Sequence, residues 1–350
     1  MALFVFGAGA TRGSSFVDPA CDPCLPPLDR DFFTQLQRVR NPKHQKLIKD
    51  VMNDVVEVFG QNFETTMETV FATLEHTIRM LETTGDNRAF KRDALKKKRD
   101  RLEQAIAVVL EESLTESDDE GHSKHDRKPC AFHDEFVSRI LQPKDSVISF
   151  NYDCVLDDSL SRCGDKQWNP RYGYGFNLGP RGMLLTGDQH WSPTTRAKRA
   201  DTIHLYKLHG SLHFRVAGPE KEEKIYLKQH PYTKRRGNLR FTIIPPEWHK
   251  AYNKGFFGKL WKDAASAIHR AEHLVFVGYS LPATDLHSTA LFRTAIRSSN
   301  LRSLVVVNPD AETRRRIRSV VLRGLDPNTR VHSIDLFEHF VALDRSTWAV

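Results

Sequence analysis

Short uncharged apolar runs recur along this chain, each followed at once by a small or polar turn and then by residues at helical spacing. Leu274-Val-Phe-Val277 leads into Gly278-Tyr-Ser280, with a helix opening near Thr284-Asp285. Leu304-Val-Val-Val307 leads into Asn308-Pro-Asp310, with a helix over 313–322. Such a run, with no polar alternation, suits a strand buried on both faces, and the strand, turn, helix repeat predicts a parallel sheet with right-handed crossovers. The expected fold class is α/β, a doubly wound, Rossmann-like parallel sheet.

The chain opens the same way. Leu3 to Phe6 is an apolar run, and Gly7-Ala8-Gly9-Ala10-Thr11-Arg12 follows directly. Residues this small admit either a phosphate or a neighbouring backbone, so the turn alone does not decide between a nucleotide site and close packing. Two nucleotide motifs are excluded. Arg12 stands where the dehydrogenase fingerprint needs its third glycine, and the Gly-Lys-Ser/Thr ending of a P-loop is missing. Further strands are expected at Val147–Phe150, Ile203–Leu208, Phe241–Ile244 and Val331–Ile334.

Between the first and second strands lies a long helical stretch. Residues 13 to 31 read as a loop ending in Pro26-Pro27-Leu28-Asp29-Arg30-Asp31, where Asp29 or Asp31 suits the start of a helix. The loop reads either as a lid over a ligand or as a plain connection. Phe63, Met67, Val70, Phe71, Leu74 and Ile78 recur at three- and four-residue spacing, as do Leu102, Ile106, Val109 and Leu110. The polar segment Thr115 to Lys128 reads as a mobile loop. The expected division is a Rossmann-like domain of 1–33 and 144–350, a mainly helical insertion of 34–143, and an irregular substrate-facing loop over 164–200.

Composition narrows the class. Of 350 residues, 39% are hydrophobic and 27% charged, as in a soluble globular protein, and no apolar run reaches membrane length. The N-terminus has no basic region before its apolar run, so it does not read as a signal peptide. Five cysteines at 21, 24, 130, 154 and 163 give no disulfide framework, which favours a reducing cytoplasm. Cys21-x-x-Cys24 has no second pair to complete a zinc site, so no metal is expected. The formal charge of +8 gathers partly in Arg88 to Arg101, with an acidic run downstream from Glu111 to Glu120. This reads as a solvated helix face balanced by its neighbour, with direct nucleic-acid binding as the alternative.

In a doubly wound sheet, ligands bind outside the carboxyl ends of the strands. Those ends carry Gly7-Ala8-Gly9, Asn151-Tyr-Asp153, His209-Gly-Ser211, Gly278-Tyr-Ser280 and Asn308-Pro-Asp310. In this order, and within a frame covering most of the chain, the set resembles the NAD-binding motifs of the sirtuin family. The wording Phe-Asn-Tyr-Asp, Leu-His-Gly-Ser-Leu and Gly-Tyr-Ser-Leu-Pro-x-x-Asp, with Pro-Pro-Leu-Asp after the glycine turn, looks most like the prokaryotic sirtuin-like NADases of antiphage defence. The four-cysteine zinc module and the Pro-Asp-Phe-Arg motif of the deacetylases are missing from the sequence.

The resemblance implies NAD as substrate, no metal, and cleavage of the nicotinamide–ribose bond to nicotinamide and ADP-ribose by an effector that depletes NAD. It implies that Asn151 positions water or the ribose hydroxyls, that Asp153 anchors the ribose edge, and that His209 is the general base. Gly7, Ala8, Gly9 and Thr11 would take the pyrophosphate, with Arg12 as charge partner. Asp29 would join the cofactor site, and Gly278, Ser280 and Asn308 would meet the adenosine side. Expected partners are a second copy of the chain and a second defence protein, such as an ATPase, a nuclease or an Argonaute-like protein, with no membrane. The competing readings are an NAD or ADP-ribose sensing module and a protein deacylase. His204 and His213 are expected to be structural.

Overall fold

The computed structural model describes residues 1–84, 89–117, 123–176, 178, 187–217, 224–232, 240–243, 255–296, 300–323 and 328–349. In chain order the strands are β1 (Ala2–Phe6), β2 (Thr115–Ser117), β3 (Ser123–Arg127), β4 (Ser146–Ser149), β5 (His204–Lys207), β6 (Gly210–Ala217), β7 (Lys224–Leu227), β8 (Arg240–Ile243), β9 (His273–Val277), β10 (Ser303–Val307) and β11 (Arg330–Ile334). Six of them form one parallel sheet in the order β11-β10-β9-β1-β4-β5. Phe4 is in register with Val147 of β4 on one side and Val275 of β9 on the other. All five residues of β1, β9 and β10 are buried, as their uncharged sequences require.

The order has a functional consequence. From β1 the chain builds outward through β4 and β5, then returns to build through β9, β10 and β11 on the other side. The connections leaving β1 and β9 therefore diverge, and the crevice between them is the topological switch point where open α/β sheets place their ligands.

The structure has two compact units. The first contains Met1–Phe16, Pro129–Ile243 and Lys250–Val350, and the second is built on Val17–Lys128. The expected boundaries at 33 and 144 shift for identifiable reasons. Residues 129–143 were read with the helical insertion, yet Phe136 packs its ring 4.9 Å from Phe4 and 5.0 Å from Phe6, beneath β1. Residues 17–33 were read with the sheet. They belong with the helices, where the Leu25 amide donates to Gln35 Oε1 at 2.8 Å and Asp29 Oδ1 accepts from the Glu68 amide at 2.8 Å.

In the second unit, helices at Phe32–Arg38, Gln45–Phe59, Met67–Thr83 and Ala89–Leu114 bear out the expected helical periodicity. The segment read as a mobile loop carries an antiparallel hairpin of β2 and β3 instead. Its pairing is made by main chain, which a polar sequence does not reveal. Among the described residues, the basic cluster is met by acidic side chains of the preceding helices. Lys98 meets Glu57 at 2.6 Å, Arg99 meets Glu75 at 2.9 Å, Lys96 meets Glu82 at 3.0 Å and Arg101 donates to Asp54 at 2.7 Å. Arg88 lies outside the described residues. No described helix is long and apolar enough to cross a membrane.

Phe241–Ile244 was expected as another short strand. Its described residues, Phe241–Ile243, lie in β8, which pairs with β6 in a three-stranded antiparallel sheet, β7-β6-β8, separate from the parallel one, and Ile244 lies outside the described residues. The described part of 164–200, expected as an irregular loop, holds two short helices, Pro170–Gly173 and Gly187–His190, and most of its large aromatic residues face the core, Tyr172 excepted. Trp168 and Trp191 are fully buried, and their indole N–H groups donate to the carbonyls of Trp191 and Lys228 at 3.1 and 3.0 Å.

Candidate active site

The first glycine turn and the turn after β9 press directly on each other. Gly7 N donates to Val277 O at 3.0 Å, and Gly9 N donates to Gly278 O at 2.9 Å. Gly278 has φ +61°, and a Cβ added there would lie 2.0 Å from the Ala10 nitrogen. These glycines bring two backbones together at the switch point. Three amides of the turn, those of Gly7, Gly9 and Ala10, already donate to protein carbonyls. The helix that follows, Ala8–Arg12, is little more than one turn. The turn expected to hold pyrophosphate thus makes close packing first.

The second strand end meets the first. Asn151 Nδ2 donates to Gly7 O at 3.0 Å and to Thr11 Oγ1 at 3.1 Å. The Thr11 hydroxyl in turn donates to Asp153 Oδ2 at 2.8 Å, and the other carboxylate oxygen of Asp153 accepts from the Val155 amide at 3.0 Å. Asn151, Asp153 and Thr11 are all buried. With its amide hydrogens engaged, Asn151 has Oδ1 left to meet a hydroxyl or a water. The Asp153 carboxylate fixes Thr11 and the start of the helix Val155–Cys163.

His209 arrives from the end of β5. Its ring is 4.9 Å, centroid to centroid, from Phe150 and 6.3 Å from Tyr152, the two neighbours of Asn151. Phe150 in turn stacks on Tyr279 at 4.3 Å. His209 Nε2 lies 3.5 Å from Asp285 Oδ2, and both residues are buried. That carboxylate also accepts from the Tyr279 hydroxyl at 2.9 Å, the Ser288 hydroxyl at 2.5 Å and the Ser288 amide at 3.1 Å. Burial would raise the Asp285 carboxyl; the His209 contact and the Ser288 bonds more than offset this and hold it well below the usual carboxylate range.

Beneath the Asn151–Asp153 turn lies a second buried polar network. Lys207, the last residue of β5, donates to Asp157 Oδ2 at 2.8 Å and to the Asp153 carbonyl. Asp157 Oδ1 accepts from the Tyr174 hydroxyl at 2.5 Å, and that hydroxyl lies 3.0 Å from His213 Nε2. His213 Nδ1 is 2.8 Å from Ser211 Oγ and 3.1 Å from Cys154 Sγ. All six side chains are buried, which is tolerable only because each has partners.

Residues 145–326 match the SIR2-like domain family. The chain belongs to that family. SIR2-like domains are NAD-dependent enzymes that take NAD as substrate, and the match spans Asn151, Asp153, His209, Gly278, Ser280 and Asn308. No curated protein matches the chain.

The SIR2-like strand ends farther along the sheet are accounted for by local bonds. Asn308 Oδ1 accepts from the Asp310 amide at 2.9 Å, and Asp310 caps the helix Ala311–Val321. Arg316 donates twice to the Ser280 carbonyl, at 3.1 and 2.9 Å, leaving the Ser280 side chain exposed. Gly7, Gly9, Thr11, Asn151, Asp153, His209 and Gly278 are linked through the contacts above, and Ala8, between Gly7 and Gly9, opens the short helix. Asp29 lies in the other unit, where burial lifts its carboxyl above the usual range despite the Glu68 amide. Arg12 is half-buried at the end of its short helix.

His213 is structural, as expected, and His204 stacks on Tyr206 at 5.7 Å. Cys24 donates to backbone carbonyls of Leu25 and Gln35. Among the described residues, no group of three or more His, Cys, Asp or Glu is placed to hold a metal ion. The sequence marks Asp285 only as a helix start and as the end of the Gly-Tyr-Ser-Leu-Pro-x-x-Asp motif, with no role at the site, and does not mark Lys207. The signals were present: an aspartate five residues beyond Ser280, and one lysine at the end of a strand two residues before His209.

Proposed function

We propose that this site hydrolyses NAD at the nicotinamide–ribose bond. What carries the reading is the packing of His209 on Phe150 and Tyr152, the chain neighbours of Asn151, whose own amide bonds Gly7 beside the switch point, in a chain of the SIR2-like family. The nicotinamide of NAD is a cationic leaving group, so the site need not protonate it. It has to stabilise an oxocarbenium-like sugar and deliver water to its open face. Water bonds to the anomeric carbon, the carbon–nitrogen bond breaks with its electron pair going to nicotinamide, and the water's proton passes to His209. The products are nicotinamide, ADP-ribose and a proton.

Asn151 Oδ1 orients the water or a ribose hydroxyl, and Asp153, through Thr11, holds Asn151 in place. An imidazole suits the base because its ordinary pKa lies near neutrality, and such help is typically worth about 10²–10⁴-fold. The motif wording extends the proposal to an antiphage effector that depletes cellular NAD, working in the cytoplasm as a homo-oligomer with a second defence protein. Purified protein incubated with NAD is expected to release nicotinamide and ADP-ribose in equal amounts, as followed by chromatography. NAD recovered intact after tight binding would replace hydrolysis with sensing. Acyl-ADP-ribose formed from an added acylated peptide would replace it with deacylation.

A further inference from the structure

Asp285 stands immediately before the helix Leu286–Ile296, and one of its oxygens does what a helix cap does: Oδ1 accepts from the Ser288 amide at 3.1 Å. A cap explains no more than that. Serine or asparagine would serve equally well there, and caps are ordinarily exposed. Asp285 is only 2% exposed, and its second oxygen gathers the Tyr279 hydroxyl, the Ser288 hydroxyl and the imidazole of His209. A buried carboxylate is costly unless it is paired, and the group that faces this one as a cation, once protonated, is that imidazole.

We infer that Asp285 is the positioning residue of His209, orienting its ring and stabilising the imidazolium formed when it takes a proton. The catalytic part of this inference rests on the hydrolysis proposed above; the pairing itself does not. Around the imidazole stand the edge of Phe150 and the ring of Tyr152 from the turn after β4, and Asp285 backed by the Tyr279 hydroxyl from the turn after β9. The 3.5 Å separation is an ion-pair distance that shortens once the ring carries its second proton. The proton comes from the attacking water, rests on His209 with Asp285 as counter-ion, and leaves to solvent after ADP-ribose departs. Asp285 remains ionised throughout.

The pairing is read directly from the histidine side-chain ¹⁵N resonances of the full chain, titrated with pH, with His209→Gln assigning the signal. Asp285→Asn is expected to lower the His209 midpoint by about one unit or more, as loss of an adjacent opposite charge does. Tyr279→Phe keeps the carboxylate, the cap and the stack on Phe150 but removes a competing donor from Oδ2, so it is expected to move the midpoint upward. These opposite signs separate pairing from damage to the fold, and Tyr279→Phe alone decides if Asp285→Asn does not fold. A midpoint unmoved in the folded variants overturns the inference. In turnover, Asp285→Asn is expected to lower kcat by about 10²-fold with KM within about threefold, and Asp285→Glu to restore part of it. If wild type releases no nicotinamide while the NMR shifts occur, the hydrolysis proposal fails and the pairing stands. If wild type turns over with His209 insensitive to Asp285→Asn, the pairing alone fails.

Discussion

Gly278→Ala is expected to destabilise the sheet unit by about 2–5 kcal/mol, the sum of a left-handed alanine and an overpacked backbone contact. At φ +61° a side chain is strained whatever the space around it, and here no space exists: the new Cβ would overlap the Ala10 nitrogen at 2.0 Å and the Gly9 carbonyl carbon at 2.4 Å. Both are backbone atoms, so relief requires the turn after β1 to move. That movement pulls Gly7 O away from Asn151 Nδ2, and activity should fall further than stability. Gly13→Ala is the control, since its φ of −90° is ordinary and its nearest contact, Gly9 O, lies at 3.3 Å. It should change stability by no more than about 0.5 kcal/mol. Urea unfolding of both variants against wild type measures the contrast, and equal stabilities would show that the turns do not need their close approach.

Lys207→Met is expected to cost about 3–5 kcal/mol, the usual penalty for leaving one member of a buried ion pair without the other. Burial alone would lower the Lys207 ammonium and raise the Asp157 carboxyl. Their mutual attraction more than offsets this, so Lys207 is held above the ordinary lysine value and Asp157 below the ordinary carboxylate value. The signs fix the pH window. Asp157, with its pKa depressed on folding, contributes stability that is fully present above its unfolded value of 3.8 and is lost as pH falls below it. Lys207, with its pKa raised, contributes stability that is fully present below its unfolded value of 10.5 and is lost as pH rises through its folded value.

Removing both charges, as Lys207→Met with Asp157→Asn, should recover a large part of the loss, because no buried charge is then left uncompensated. Chemical denaturation at neutral pH distinguishes the single from the double variant. Since Lys207 also donates to the Asp153 carbonyl, the double variant should regain stability without regaining the full geometry of the Asn151–Asp153 turn. A single variant as stable as wild type would mean that this network does not hold the site.

What the sequence disclosed and what it hid follow from the range of the forces involved. The parallel strands were legible because a run such as Leu304 to Val307 can be buried on both faces whatever its neighbours, and the turns after them were legible because polar residues gathered there. β6 was hidden by its charges. Residues 212–216 alternate apolar with His213 and Arg215, which resembles an edge strand, yet Arg215 is buried with its guanidinium on the carbonyls of Leu212, Phe214 and Pro231. The alternation was a usable signal; the solvation of Arg215 by main chain was not.

The unit boundaries shifted for a similar reason. Phe132, Phe136 and Ile140 have helical spacing in either unit, and only the tertiary fold says that Phe136 lies under β1. Among the candidate site residues, Asn151 and His209 stand out in the sequence as polar residues at strand ends. Thr11, which bonds Asn151, Asp285, which faces His209, and Lys207, which bonds the Asp153 carbonyl of the Asn151 turn, act across 140, 76 and 54 residues of chain respectively, separations at which local pattern carries no information.

In the proposed hydrolysis, Asn151 and His209 act on one bound NAD. Nicotinamide release by wild type, Asn151→Ala and His209→Ala, measured at matched protein concentration, tests this most directly. Release by wild type with a loss of about 10²-fold or more in each variant is the predicted result. Equal release by all three proteins would contradict it.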